Sequence, residues 1–275
     1  MNLKEIEKVV ATIRTHLFRN SNSFSVGMLK SHFKGAGLQF KEHQVYAPGD
    51  DVRFIDWKLS AKSDNTFVKT FEEERNAEII VAIDIASNML TGYKGISKLQ
   101  SAIEITCLLY LLAEQSKDKV KVVIMLEKAV ILPSQSGHKG IALFVSLLEK
   151  NNILMSNGKV NFRYSFDKMM SETKKLGLLK SFVAKGKEVV FLSDFSEIEQ
   201  MDVLNKLIYR KNMHCFKVVS PLDEVKKQPF SIFTTFKGKK RLISPDMRHN
   251  EELHGRWKKI NVAERYLEDF VKEML

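Results

Sequence analysis

The pattern of apolar and polar residues changes near residue 78, from an irregular N-terminal part to a regular alternation of strands and helices. Apolar residues recur at helical spacing between Ile6 and Leu17, which predicts an amphipathic helix at the start of the chain. Residues 20–77 are punctuated by glycine and proline and are predicted to be irregular or short-stranded, with strand character at Thr66–Glu74. We therefore predict a helix and β-rich segment over residues 1–77.

Residues 78–275 are predicted to form an α/β domain. The predicted strands are Ile79–Ile85, Lys119–Leu126, Ala129–Leu132 (a hairpin partner of the preceding strand), Glu188–Leu192 and His214–Val219. The predicted helices are Lys98–Gln115, Lys139–Lys150, Phe166–Ala184, Gln200–Arg210 and a C-terminal helix whose apolar stripe runs from Trp257 and Ile260 to Met274. An antiparallel return is expected within Phe230–Ile243. Strands that alternate with helices predict a sheet of about five parallel strands covered on both faces.

Composition and charge narrow the possible classes of protein. Hydrophobic residues make up 44% of the 275 residues, which is enough for a packed core. No apolar run approaches the ~20 residues that a membrane-spanning helix needs, and the charged N-terminus does not resemble a secretory signal, so we expect a cytoplasmic protein. The two cysteines, Cys107 and Cys215, lie in apolar segments and are expected in the core. The net charge of +11 leaves nucleic-acid binding open, but no aromatic residues interleave with the lysines as a base-stacking surface requires.

A dense block of glycine, proline, aspartate, arginine and tryptophan precedes the first strand of the predicted sheet. It spans Gly35–Arg75 and resembles the bacterial domain-of-unknown-function family 58, whose pattern it follows without a gap. The matching positions are Gly35, Gly37, Phe40, Glu42, Tyr46, Pro48, Gly49, Asp50, Asp51, Arg53, Ile55, Asp56, Trp57, Ala61, Val68, Lys69, Phe71, Glu72, Glu73 and Glu74. Gln39 and Gln44 depart from the pattern, where the family has an acidic residue and an arginine. The resemblance extends over about residues 25–250.

The resemblance implies a von Willebrand factor A-like, Rossmann-like domain with a β-rich annex. In that fold two aspartates at the carboxyl ends of strands hold a divalent ion, usually magnesium, and Asp84 and Asp194 stand at those positions. Ala86 removes one hydroxyl ligand of the usual D-x-S-x-S pattern, while Asn88 keeps an oxygen. The loop expected to supply threonine, Asn161–Ser165, has none. A degenerate, weak magnesium site made by Asp84, Asn88 and Asp194 is one reading, and helix capping by the two aspartates is the other.

The block from Pro48 to Trp57 admits three interpretations. Asp50, Asp51 and Asp56 are candidates for an acidic metal cluster. A structural clasp is favoured, in which Pro48–Asp51 forms a turn, Arg53 pairs with a carboxylate such as Glu72 or Glu74, and Trp57 is a buried apolar anchor. The third interpretation is a docking surface.

The resemblance implies a non-enzymatic adaptor or chaperone-like module that works with a MoxR-type AAA+ ATPase or with other von Willebrand factor A proteins. We expect the partner to bind at the strand ends, through Ser87, Asn88, Met89 and Asp194. The sequence contains no phosphate-binding loop and no histidine or cysteine grouping with the spacing of metal ligands, so no cofactor is expected apart from magnesium. The alternatives are a metal-dependent hydrolase that uses Asp84, Asp194 and the carboxylates of residues 50–56, and a basic nucleic-acid-binding protein.

Overall fold

The computed structural model describes residues 38–48, 50–73, 77–164, 169–224, 232–236, 239–243 and 257–274. The predicted N-terminal helix, the glycines at positions 35 and 37, and Ser165 lie outside these residues. The strands are β1 (Leu38–Val45), β2 (Phe67–Glu73), β3 (Glu78–Asp84), β4 (Gly92–Tyr93), β5 (Ile96–Ser97), β6 (Lys119–Met125), β7 (Ala129–Ile131), β8 (Glu188–Ser193), β9 (Met213–Val219), β10 (Ile232–Phe236), β11 (Lys239–Ile243) and β12 (Trp257–Asn261).

Helices separate most of the long strands, as the alternating pattern predicts. The α-helices are α1 (Trp57–Ser60), α2 (Lys98–Ser116), α3 (Gly137–Lys150), α4 (Glu172–Ala184), α5 (Met201–Ile208) and α6 (Tyr266–Met274). Short 3₁₀ helices occur at Val52–Phe54, Ser87–Leu90 and Pro221–Glu224. Helix α4 begins later than the predicted Phe166, because Ser171 is the residue before its first turn and has extended backbone angles. No helix in the described part of the chain is long and apolar enough to cross a membrane.

The central sheet has six strands in the order β12-β9-β8-β3-β6-β7. Strands β3, β6, β8, β9 and β12 run parallel, whereas β7 returns antiparallel to β6 as the predicted hairpin. Strand β3 lies at the centre, and all its residues except the first are buried. A parallel strand that is covered on both faces must be apolar along its whole length, which explains its continuous run of valine, isoleucine and alanine.

Helices cover both faces of the sheet and enclose two apolar clusters. Helices α2, α3 and α6 pack on one face, where the cluster includes Ile83, Phe144 and Phe270. Helices α4 and α5 pack on the other face, where the cluster includes Ala82 and Leu204. Helix α2 is apolar nearly all round because it is almost completely buried. The chain is therefore a mixed α/β protein with a mostly parallel sheet, as predicted.

The prediction of a C-terminal helix that starts at Trp257 is wrong for its first part. Trp257 and Ile260 belong to strand β12, which pairs with β9 and adds a parallel strand to the edge of the sheet; the helix begins only at Tyr266. In this segment Ile260 is buried and Lys259 is exposed, an alternation that fits a strand as well as a helix over so few residues. Pairing with β9 satisfies the backbone groups and decides in favour of the strand.

The segment ahead of the central sheet forms a small separate sheet. Strand β1 pairs antiparallel with β2, as the strand character of Thr66–Glu74 predicts, and the register shifts between Phe40 and Glu42. The block from Asp50 to Ser60 lies between these two strands. A bridge from Ile55 to Val68 and a hydrogen bond from the Asp56 N–H to the Phe67 carbonyl fix the block against β2. Strands β10 and β11 form the antiparallel return expected within Phe230–Ile243.

Candidate functional site at the carboxyl edge of the sheet

Asp84 and Asp194 lie at the same edge of the sheet, as the sequence predicts. Asp84 is the last residue of β3, and Asp194 follows directly after β8. These two strands are parallel neighbours, with Ile83 opposite Leu192 in the register. The carboxyl edge of a parallel sheet is the usual place for a ligand site, because loops there converge from several strands.

Asp84 is fully buried and is neutralised by a lysine rather than exposed to a ligand. Its Oδ1 lies 2.7 Å from Nζ of Lys175, which projects from α4. This contact is an ion pair without the direction of a good hydrogen bond, since Oδ1 has no hydrogen-bond partner in standard geometry. Its Oδ2 accepts a hydrogen bond of 2.9 Å from Oγ of Ser193, and that Oγ in turn accepts one from the N–H of Phe195.

The electrostatics of this pair follow from its burial. Burial raises the pKa of Asp84, because a carboxylate loses its hydration there, and the ammonium of Lys175 offsets part of that increase. Burial would lower the pKa of Lys175, but Asp84 and then Glu197 favour its charged form strongly enough to raise the pKa overall. The Oε2 of Glu197 lies 3.0 Å from the same Nζ. One ammonium therefore bridges a buried and a partly exposed carboxylate.

A second buried lysine neutralises the other aspartate in the same way. Lys98, the first residue of α2, places Nζ 3.1 Å from Oδ2 of Asp194 and 3.0 Å from Oδ2 of Asp223. The remaining Oδ1 of Asp194 accepts hydrogen bonds from the N–H and Oγ of Ser196. Asp223 Oδ2 accepts from the N–H and Oγ of Ser220, which follows β9. Every oxygen of Asp194 is thus engaged within the protein.

The two lysines reach the edge from opposite faces of the sheet, since α2 and α4 pack on different faces. An ammonium group thus neutralises each of the two aspartates that the sequence suggested as ligands of a divalent cation. Among the residues that the structure describes, no group of three or more histidine, cysteine, aspartate or glutamate side chains is arranged to hold a metal ion. Asn88, the third proposed ligand, also belongs to a turn, since its backbone carbonyl oxygen accepts from the N–H and Oγ1 of Thr91.

The loop that was expected to supply a threonine ligand also serves a structural purpose. The Asn161 carbonyl and side chain accept hydrogen bonds from the N–H groups of Tyr164 and Arg163, which closes a turn. Tyr164 packs against the apolar cluster beneath α2. The polar partners of the two aspartates are Lys98, Lys175, Ser193 at the end of β8 and Ser196 just after it. No local sequence pattern distinguishes these residues.

Two of the four predicted partner-binding residues are unsuitable for contact. Met89 is 0% exposed and packs into the core, and Asp194 is 6% exposed and paired with Lys98. The 3₁₀ helix at Ser87–Leu90 turns Met89 inward, so its side chain does not offer an apolar contact to a partner. Ser87 is exposed and Asn88 partly exposed, so these two residues remain available at the edge.

The polar residues of the block from Asp50 to Trp57 satisfy one another locally. Asp50 accepts a hydrogen bond from the N–H of Ala47. Arg53 pairs with Asp51 through two side-chain nitrogens, and its hydrogen bonds lower the pKa of Asp51 to about 2. These carboxylates therefore do not converge on one point, as a metal cluster would require. The side chains of Glu72 and Glu74, the predicted partners of Arg53, lie outside the described part of the structure.

Asp56 is the centre of this block, whereas Trp57 is its exposed end. Asp56 Oδ1 accepts from the N–H groups of Lys58 and Leu59 and so caps α1, while Oδ2 contacts His43 and Lys69 on β1 and β2. Backbone donors of α1, then His43 and Lys69, hold the pKa of Asp56 well below its ordinary value. The prediction that Trp57 is a buried anchor is wrong, because the residue is 71% exposed. The helix it begins is one turn long and has no buried residue, so it offers no pocket for the ring.

The protein is thus an α/β protein with a mostly parallel sheet, in which the carboxylates at the carboxyl ends of two strands are paired with buried lysines. The chain belongs to the family described as protein of unknown function DUF58, whose family model matches residues 42–227. This is the family that the block from Gly35 to Arg75 resembles. No curated protein matches the chain.

Two solved structures are similar to this chain at 16% sequence identity and a TM-score of 0.45. One is the conserved hypothetical protein BatB from Bacteroides thetaiotaomicron, with 72% of this chain and 97% of that chain covered. The other is an aerotolerance-related membrane protein from Bacteroides fragilis NCTC 9343 that carries multiple mutations to serine, with 72% and 98% covered.

Proposed function

We propose that this protein is a von Willebrand factor A-like, non-enzymatic binding module that works with a MoxR-type AAA+ ATPase. The observation that carries the proposal is that Asp84 and Asp194 are each held by a buried lysine. A catalytic carboxylate must reach its substrate or a substrate-bound metal, whereas these two are buried and their oxygens already have partners. The family resemblance supports the choice of partner.

This arrangement of paired carboxylates removes the main support for the alternative of a metal-dependent hydrolase. It needs Asp84, Asp194 and the carboxylates of residues 50–56 in one pocket, yet each of them is engaged by neighbours of its own. Asp51 is held by Arg53, and Asp56 caps α1 and pairs with Lys69. Lysine bridges also keep the strand-end edge in one arrangement without an ion, so partner binding should not require magnesium.

The partner surface is best placed on the block that presents Trp57. The centre of a protein interface is usually apolar, and tryptophan is the residue most often found to dominate binding energy. Trp57 is 71% exposed, and Val52 and Val45 of the same N-terminal segment are also exposed. The capping of α1 by Asp56 and the bridge from Ile55 to Val68 hold the backbone around Trp57 in a fixed shape. A preorganised loop loses less conformational entropy on binding than a flexible one.

The test is capture of the MoxR-type ATPase from the same organism by immobilised protein, with and without EDTA. Trp57→Ala should weaken binding at least about tenfold, because removing an interface anchor commonly costs more than 1.4 kcal/mol. Its thermal stability should stay within about 0.5 kcal/mol of wild type, as for most exposed positions. EDTA should leave wild-type binding unchanged.

Tyr209→Ala is the matched control, because Tyr209 is an aromatic residue that is 62% exposed after α5. It should bind as wild type. Asn88→Lys tests the strand-end edge in parallel. If Trp57→Ala binds normally and Asn88→Lys does not, the interface lies at the strand ends. The adaptor proposal would be refuted if the wild-type protein did not capture the ATPase at all. It would also be refuted if the wild-type protein hydrolysed phosphoesters or peptides and Asp84→Asn abolished that hydrolysis.

A further inference from the structure

The central sheet has a basic edge where its parallel strands begin. Helices α2, α4 and α5 lead into β6, β8 and β9 there, and each connection, counted to the first residue of the strand, carries two basic residues. The register places the first residues of β6, β3, β8 and β9 within two residues of one level, so the connections form a nearly level row. Neighbouring strands are about 4.8 Å apart, and three such spacings make the row about 14 Å long. The six basic residues are Lys117, Lys119, Lys185, Lys187, Arg210 and Lys211.

Five of these six cations have no counter-ion within the described residues. Lys187 is the exception, since its Nζ lies 3.0 Å from Oε2 of Glu78. The other five residues are exposed, and the charged group of each makes no ion pair, hydrogen bond or ring contact in the described part of the chain. Because these five residues lie in three connections along one edge, their charges add to a positive potential on the solvent side.

The acidic residues at the starts of the strands do not neutralise the row, because each has partners of its own. Glu78 contacts Lys121 at 3.1 Å in addition to its lysine partner in the row. Glu188 Oε2 lies 3.2 Å from Nε2 of His214, and Asp118 Oδ1 accepts a hydrogen bond of 2.9 Å from the backbone N–H just before β3. The carboxyl edge is different, since each buried lysine there lies between two carboxylates.

The ends of the helices explain how the fold tolerates this row of cations. Helices α2, α4 and α5 all end at this edge, and the free carbonyl groups of a helix C-terminus attract cations. Lys117 and Lys185 are the C-cap residues of α2 and α4. A helix end carries roughly half a negative charge, whereas each connection brings two positive ones. The helices therefore stabilise the cations without cancelling their charge, and the edge presents a net positive surface.

We propose that this amino edge of the sheet is a membrane-binding surface that holds the protein on a lipid bilayer with anionic headgroups. A bilayer is flat and has no groove to match, so a level row of basic residues fits it, and each basic residue near such a surface adds to the attraction. Tyr209, directly before Arg210, is 62% exposed and combines an apolar ring with a polar tip, the kind of side chain that is enriched at membrane–water interfaces. Nucleic acid fits this edge less well. Single strands are bound by successive aromatic residues and duplexes are read by a helix or ribbon in a groove, whereas these cations lie in short connections.

The experiment measures, by sedimentation, how the full chain partitions onto lipid vesicles of pure phosphatidylcholine and of an equimolar mixture of phosphatidylcholine and phosphatidylserine. Wild type should bind the mixed vesicles and not the neutral ones. Raising sodium chloride from about 0.1 M to about 1 M should release it, because the Debye length falls from about 10 Å to about 3 Å. Lys119→Gln combined with Lys185→Gln and Lys211→Gln removes one charge from each connection. This edge variant should weaken partition about 100-fold, since each basic residue near an anionic bilayer strengthens binding about fivefold.

The matched control removes the same total charge from three exposed lysines outside the row, through Lys128→Gln, Lys150→Gln and Lys159→Gln. It should partition like wild type, because charges farther from the bilayer than a Debye length are screened. The proposal is overturned if wild type binds the mixed vesicles no better than the neutral ones. Equal loss of binding in the two triple variants, both shown to be folded by circular dichroism, also overturns it. If wild type ignores vesicles but binds a DNA duplex, and the edge variant does not, the edge is a nucleic-acid surface and the proposal is wrong. Vesicle binding needs no AAA+ partner, so every result leaves the proposed adaptor function to its own test.

Discussion

Removing the ammonium of Lys175 should leave a buried charge without a counter-ion. Asp84 is fully buried, its Oδ1 lies 2.7 Å from Lys175 Nζ, and within the described residues its other side-chain partner is Ser193. Breaking a buried ion pair by removing one member typically costs about 3–5 kcal/mol, because the remaining charge keeps its desolvation penalty. We therefore expect Lys175→Met to lower the free energy of unfolding by about 3–5 kcal/mol near neutral pH.

The loss should depend on pH in a defined direction. Burial already raises the pKa of Asp84, and removal of Lys175 removes the main opposing influence, so the pKa rises further in the variant. A group whose pKa is higher in the folded state than in the unfolded state binds more protons when folded, so lowering the pH favours folding. The difference between Lys175→Met and wild type should therefore shrink as the pH falls from about 7 to about 5.

Urea unfolding at several pH values, followed by circular dichroism, measures this difference. Lys174→Met is the control, because its side chain is exposed on the same helix and its loss should be within about 0.5 kcal/mol. The double variant Lys175→Met with Asp84→Asn should recover about 1–3 kcal/mol, since the neutral amide no longer needs a counter-ion. A loss below about 1 kcal/mol that does not change with pH would refute the reasoning, because Asp84 would then not be a buried charge held by Lys175.

Two further predictions concern the edge and the C-terminal helix. Calorimetric titration of the wild type with Mg²⁺ should give no saturable heat, because Lys98 and Lys175 already neutralise Asp194 and Asp84. A micromolar affinity that is lost in Asp84→Asn would contradict this prediction. Phe270→Ala should lower the free energy of unfolding by about 3–5 kcal/mol, because the buried ring packs 4.8 Å from the Phe216 ring. The exposed Lys272→Ala on the same helix should change it by less than about 0.5 kcal/mol, and equal effects of the two would show that α6 does not dock on the sheet.

Much of the central sheet was predictable because its signals are local. The apolar run of β3, the β6–β7 hairpin and the fully apolar helix α2 each follow from a period or a run within a few residues. Asp84 and Asp194 were placed at one edge because parallel strands that alternate with helices must end on the same side. The family was also recognisable from the block ahead of the sheet, since its motif is contiguous in sequence.

The chemistry of the edge was decided by tertiary structure alone. Lys98 and Lys175 are ordinary lysines in sequence, and lysine is almost never fully buried unless it is paired. The partner of Lys98, Asp194, is 96 residues away along the chain, so no local pattern connects them. Tertiary structure also decided the outward position of Trp57, which depends on whether another element provides a pocket for its ring. It decided the strand at Trp257–Asn261 as well, because that strand depends on a backbone partner from a distant part of the chain. Sequence periodicity determines which residues are able to be buried, whereas the packing of distant elements determines which charges are buried together.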